Sequence, residues 1–146
     1  MISLPVYIHQ CAPHIAPITM QAIVKTESNG NPLAIGINHG YRLKYPARNN
    51  AEASKWVQYL ERHNYNFDVG LGQVNIKNIH KYGYTATEAL DPCTNLKLAS
   101  LILSKNYANA KNGSKSTTEA LRKALSAYNT GGMHLQVWES SQCVKN

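Results

Sequence analysis

Asp91-Pro92 opens the most demanding stretch of this chain. An acidic residue followed by proline is a helix start, and Leu96, Ala99, Leu101, Ile102 and Leu103 then follow within three turns. A helix this apolar cannot lie on a surface, so it is expected to cross the core, with the other elements packed around it. Those elements also read as helices. Met20, Ile23 and Val24 recur at helical spacing from Pro17 to Thr26, and Ser28-Asn29-Gly30-Asn31-Pro32 stops that helix near Glu27. Ala53, Trp56, Val57 and Leu60 make the apolar stripe of a helix over 51–63, and Ile76, Ile79 and Tyr82 start another. Thr117 or Thr118 can cap a last helix, through Leu121, Ala124 and Leu125 to Tyr128, which Gly131-Gly132 ends. The β content is expected to be at most a small hairpin, with 34–37 and 41–44 paired across an Asn38-His39-Gly40 turn. The expected fold class is mainly α.

With 146 residues and no linker, repeat or low-complexity tract, the chain reads as one domain, 1–146. No apolar run approaches the roughly 20 residues of a membrane span, so stable membrane insertion is not expected. The opening Met1 to Ile8 lacks a basic segment and is too short for a signal-peptide core; either the chain is cytosolic or its export signal has been removed. The formal charge of +7 calls for an anionic partner. Nucleic acid is not indicated, because the basic residues are scattered singly or in pairs and are not interleaved with aromatics.

Glu27 is the most informative acid. Met20, Ile23 and Val24 lie seven, four and three residues before it, so its side chain shares their face and points towards the core. It also falls in the last helical turn, where the dipole disfavours negative charge by about 0.3–1 kcal/mol. Burial and dipole both favour a protonated carboxyl, as a general acid requires. On this pattern alone, a boundary residue or an ion-pair partner fits as well.

Three segments extend the reading. Glu27-Ser28-Asn29-Gly30-Asn31-Pro32-Leu33-Ala34, Gly70-Leu71-Gly72-Gln73-Val74-Asn75 and Ala127-Tyr128-Asn129-Thr130-Gly131 resemble, in order, the motifs of the lytic transglycosylases related to goose-type lysozyme. Cys11-Ala12-Pro13 before the Glu27 helix, Gly-Leu-Gly-Gln-Val-Asn in place of the commoner Gly-Leu-Met-Gln, and Asp91-Pro92-Cys93 further resemble the specialised transglycosylases of type IV secretion and conjugation systems. The likeness covers roughly residues 10 to 132.

The resemblance implies a lysozyme-like helical domain in the periplasm or exported, acting on peptidoglycan glycan strands and working with secretion or conjugation components. No cofactor is expected, and with no Cys-x-x-Cys pair and histidines spread too far apart in sequence, no metal site is expected either. Glu27 would be the catalytic acid and base, with Gln73 lining the groove and Tyr128 reaching the reacting sugars. Ser28, Asn75 and Asn129 would assist at the substrate, although helix closure for Ser28, a packed helix end for Tyr128 and Asn129, and loop hydrogen bonding for Gln73 and Asn75 stand beside those roles. It also implies a Cys11–Cys93 disulfide that leaves Cys143 as a thiol. The basic surface suits peptidoglycan, whose stem peptides carry carboxylates.

Most glycosidases use two carboxylates. Of the other acids, Glu52, Glu61, Glu88 and Glu119 fall on predicted helix surfaces or first turns, Asp91 starts a helix and Glu139 is near the terminus. Asp68 alone lies where a groove residue could be, with loop capping as the alternative. A single acid is what a transglycosylase needs. The same residues leave open a hydrolase of the goose-lysozyme type and a non-catalytic peptidoglycan-binding subunit. There is no His-Glu-x-x-His zinc motif, Gly-x-Ser-x-Gly elbow or phosphate-binding glycine-lysine loop.

Overall fold

The computed structural model describes residues 3–131. Its helices are α1 (Leu4–Cys11), α2 (Pro17–Ser28), α3 (Asn50–Arg62), α4 (Ile76–Lys81), α5 (Pro92–Lys111) and α6 (Thr117–Gly131). Strands β1 (Ile35–Ile37), β2 (Phe67–Val69) and β3 (Val74–Asn75) form a small antiparallel sheet in the order β1-β2-β3. The domain is mainly α, as expected.

Helix α5 begins where Asp91 caps it, the carboxylate accepting from the Thr94 amide at 2.9 Å. It packs against α1 and α6. Leu96, Leu98, Ala99 and Leu103 are buried, whereas Leu101 is 40% exposed, so the apolar run is one-sided rather than buried all round. Leu101 sits two positions from Ala99 and Leu103, which turns it to the opposite face. The cap of α6 lies one residue before the expected threonines: the Ser116 hydroxyl accepts from the Glu119 amide at 3.1 Å.

Helix α1 was not apparent in the sequence. It is only eight residues long, and within it only Ile8 and Cys11 are buried. Its end is tied to the start of α5 by the disulfide Cys11–Cys93, with 5.3 Å between Cα atoms. The pairing implied by resemblance is therefore present; Cys143 lies outside the described residues.

The expected hairpin is corrected. The turn at 38–40 does form, with positive φ at His39 and Gly40, but β1 pairs with β2, Ile35 opposite Val69 and Ile37 opposite Phe67. Further bonds, Asn38 N to Asn66 O and Gly70 N to Ala34 O, extend the same edge. Phe67, Asp68 and Val69 are all buried, so β2 fits the centre of a sheet, while Tyr41 at 57% exposed cannot. The hairpin connects β2 to β3, and its turn is Gly70-Leu71-Gly72-Gln73.

Candidate active site

That turn is where the separate segments of the chain meet. It closes through Gln73 N to Gly70 O at 3.0 Å and places Gly70 (φ 77°) and Gln73 (φ 47°) in the left-handed region. Glycine adopts this conformation without strain; glutamine does so only where its surroundings hold it. Gln73 is held by its own amide, whose Nε2 donates to Ala34 O and Gly70 O, each at 3.0 Å.

Helix α2 meets the turn from one side. Its apolar stripe buries Met20, Ile23 and Val24 and continues into Glu27 and Ser28, each 6% exposed. Asn29 in the left-handed conformation (φ 52°) then ends the helix, a role that asparagine tolerates better than most residues. The Ser28 hydroxyl donates to Leu71 O at 2.8 Å and lies 3.1 Å from Val24 O, so it joins the helix end to the turn.

Helix α6 meets it from another side. The Tyr128 hydroxyl donates to Gly72 O at 2.6 Å. Burial first, and then the negative charges of Glu27 and Asp68, push this phenol well above the usual tyrosine range. The phenol therefore stays protonated and remains a donor. Gly72 has to be glycine here, because a Cβ would stand 2.8 Å from Ala99 Cβ and 2.9 Å from the Tyr128 oxygen.

The third support, Asn95 on α5, was missed in the sequence. It is fully buried, accepts from Gly72 N and donates to Val69 O and Ala89 O, all at 2.8 Å. A Cβ on Gly70 would overlap its amide. The signal available was its spacing: Asn95 precedes Ala99 and Leu103 by four and eight residues, a polar residue in a buried stripe.

Asp68 sits inside β2, not in a loop, and is completely buried. The Asn75 amide donates to one of its oxygens at 2.8 Å and the Asn38 amide approaches the other at 3.5 Å. Asn75 also donates to Asn66 at 2.7 Å and caps α4 by accepting from Lys77 N at 3.0 Å. The remaining described acids hold local structure: Asp91 caps α5, Glu52 pairs with Arg48, Glu61 with His80, Glu88 with the Thr85 amide, and Glu119 with Lys123. Glu27 and Asp68 are thus the two buried acids among the described residues, and Asp68 accepts from the Asn75 amide.

Gln73, Asn75 and Tyr128 line one open groove of about 210 Å³, with walls from α4, α5 and α6. Glu27 is not among its lining residues, although its charge reaches the Tyr128 phenol that is. Asn129 is half-buried next to Tyr128. A second cavity, around Tyr45, Trp56 and Tyr59, contains one acid, Glu52, already paired with Arg48. Among the described residues no group of three or more His, Cys, Asp or Glu could hold a metal ion, and no helix is long and apolar enough to cross a membrane.

A mainly helical domain with a buried glutamate at a helix end, joined through Ser28 to a glycine-glutamine turn to which a buried tyrosine also bonds, has the features of a transglycosylase domain. The family described as transglycosylase SLT domain matches residues 6–146, and the chain belongs to it. More particularly, it is 43% identical over 132 residues to the type IV secretion system protein virB1 of Brucella abortus, across 90% of this chain and 55% of that protein. It is 39% identical over 126 residues to protein virB1 of Agrobacterium fabrum, across 86% of this chain and 50% of that protein. The chain spans about half the length of these relatives. No solved structure matches it.

Proposed function

We propose that this chain is a peptidoglycan lytic transglycosylase that opens the cell wall locally for a secretion or conjugation apparatus, in the periplasm or after export. The observation that carries the reading is the convergence of three distant segments on one turn, beside a buried glutamate that is the best-placed acid among the described residues. In this reading Glu27 donates its proton to the bridging oxygen as the bond from muramic acid C1 breaks, and the leaving sugar departs as an alcohol. The carboxylate then takes the proton from the C6 hydroxyl of the same muramic acid as that oxygen bonds to C1. The acid returns to its starting state, and a 1,6-anhydro ring is left on the product. One carboxyl suffices because the nucleophile belongs to the substrate. Gln73, Asn75 and Tyr128 would contact the glycan from the groove, while Ser28 and Asn129 would support it from the helix ends.

Glu27→Gln tests the assignment. The amide keeps the shape but can neither give up nor accept the proton, so release of muropeptides from purified sacculi should stop. The amide is nearly isosteric with the carboxyl, so the variant should remain folded, which thermal unfolding checks. Mass spectrometry of the parent's products should show anhydro ends. Products with reducing ends would instead support a hydrolase, and near-parental lysis by Glu27→Gln would remove Glu27 from the chemistry.

A further inference from the structure

Away from the Gly70–Gln73 turn, the groove is walled by α4 and α5. On α5 the lining positions Ile102, Lys105, Asn106 and Asn109 are spaced by three, four and seven residues, which is one helix face. From α4 come Asn78 and Lys81. Lys81 and Lys105 therefore reach the same groove from different helices, and the neighbouring Lys105 lowers the Lys81 pKa. No Asp or Glu lines the groove, and among the described residues neither lysine makes an ion pair.

Two like charges brought together repel, and the fold does not need them together: Ile79 of α4 and Leu98 and Ala99 of α5 are already fully buried in the apolar core. An anion placed between the amines turns that repulsion into two attractions. A carboxylate is the size of anion two adjacent ammonium groups can share, and Asn78 and Asn109 add amides suited to a peptide backbone.

We propose that Lys81 and Lys105 form a carboxylate-binding subsite that receives an acidic group of the peptide stem while the glycan strand lies along the groove. The subsite gives the enzyme a preference for glycan that still carries its stems. This rests on the reading of the groove as a peptidoglycan site.

The test uses Lys81→Met, Lys105→Met and the double variant, which keep side-chain length and remove charge from exposed positions. Each is assayed on glycan strands bearing stems and on strands stripped of stems by an amidase. The double variant should lower the ratio of kcat/KM on stem-bearing to stripped strands by about tenfold, mainly through KM, with each single variant intermediate. Added salt should lower the parent's ratio and leave the double variant's nearly flat. An equal loss on both substrates, or no change in the ratio, overturns the subsite. If the parent cuts neither substrate, the functional reading fails, and the subsite is judged by calorimetry with a soluble muramyl peptide. Binding by the parent that the double variant loses supports it; equal binding by both, or binding by neither, overturns it.

Discussion

Replacing Asn95 should detach the Gly70–Gln73 turn from the core. The side chain is fully buried and makes three hydrogen bonds of 2.8 Å, one accepted from Gly72 N and two donated to Val69 O and Ala89 O. Asn95→Leu is nearly isosteric and strands one amide and two carbonyls. At about 1–3 kcal/mol for each buried group left without a partner, and with some relief by relaxation, the loss should be about 3–6 kcal/mol. That is a large fraction of the roughly 5–15 kcal/mol that holds a domain of this kind together. Asn95→Asp is the more discriminating change, because it keeps the acceptor for Gly72 N and puts an oxygen where the donor faced two carbonyls. The new carboxyl is desolvated and lacks a donor on that side, so its folded pKa must rise above the unfolded value of about 3.9. Relative to the parent, the variant's deficit should be smallest below that value, where the protonated form can still donate to one carbonyl. It should then grow as pH rises through the folded pKa. Urea unfolding of both proteins at pH 4 and pH 7 measures this. A deficit below about 1 kcal/mol at pH 7 for either variant, or one that does not change with pH for Asn95→Asp, would refute the account of Asn95 as the pin of the turn.

Tyr128→Phe should cost about 1–3 kcal/mol through the lost bond to Gly72 O and lower turnover on sacculi, measured by denaturation and by muropeptide release. The parent's raised phenol pKa means that its contribution is complete below the unfolded value of about 10 and is lost above it, so the phenylalanine variant should lose less stability between pH 9 and pH 11. Reduction of Cys11–Cys93, or the paired change to alanine, releases a crosslink spanning 82 residues and should cost about 2–4 kcal/mol, read as a lower melting temperature.

What could be read in the sequence followed from periodicity. Helices α2, α3 and α5 each announce themselves through apolar residues at three- and four-residue spacing, and the positions of Glu27, Gln73 and Tyr128 came from motifs that survive without any structure. What could not be read depends on partners distant in the chain. Helix α1 is too short to show a period, and its place is fixed by α5 and a disulfide across 82 residues. The turn signal at 38–40 is genuine and suggests a hairpin there, but strand pairing is decided by which segment can be buried on both faces, and β2 is that segment. The meeting of Lys81 and Lys105 in one groove depends on two helices distant in the chain, and neither helix alone hints at it.

The distribution of buried polar groups explains why so small a sheet lies at the centre of the site. Among the described residues, the buried polar or charged side chains are Glu27, Ser28, Asp68, Gln73 and Asn95. Ser28, Gln73 and Asn95 bond directly to the backbone of the turn or the strand before it, and the charges of Glu27 and Asp68 both act on the phenol that bonds to Gly72. Each such group costs stability unless its partners are in place, so a core built only to fold would spread them out or omit them. Concentrating them fixes one turn with side chains from α2, α5 and α6 and from the turn itself, and holds a glutamine in a backbone conformation that it would not otherwise keep. A proton donor gains from that rigidity, because the barrier falls only when acid and leaving oxygen are held at hydrogen-bonding distance before reaction. On the proposed function the polar knot preorganises Glu27, and loosening any one of its ties should slow muropeptide release from sacculi even where the fold survives.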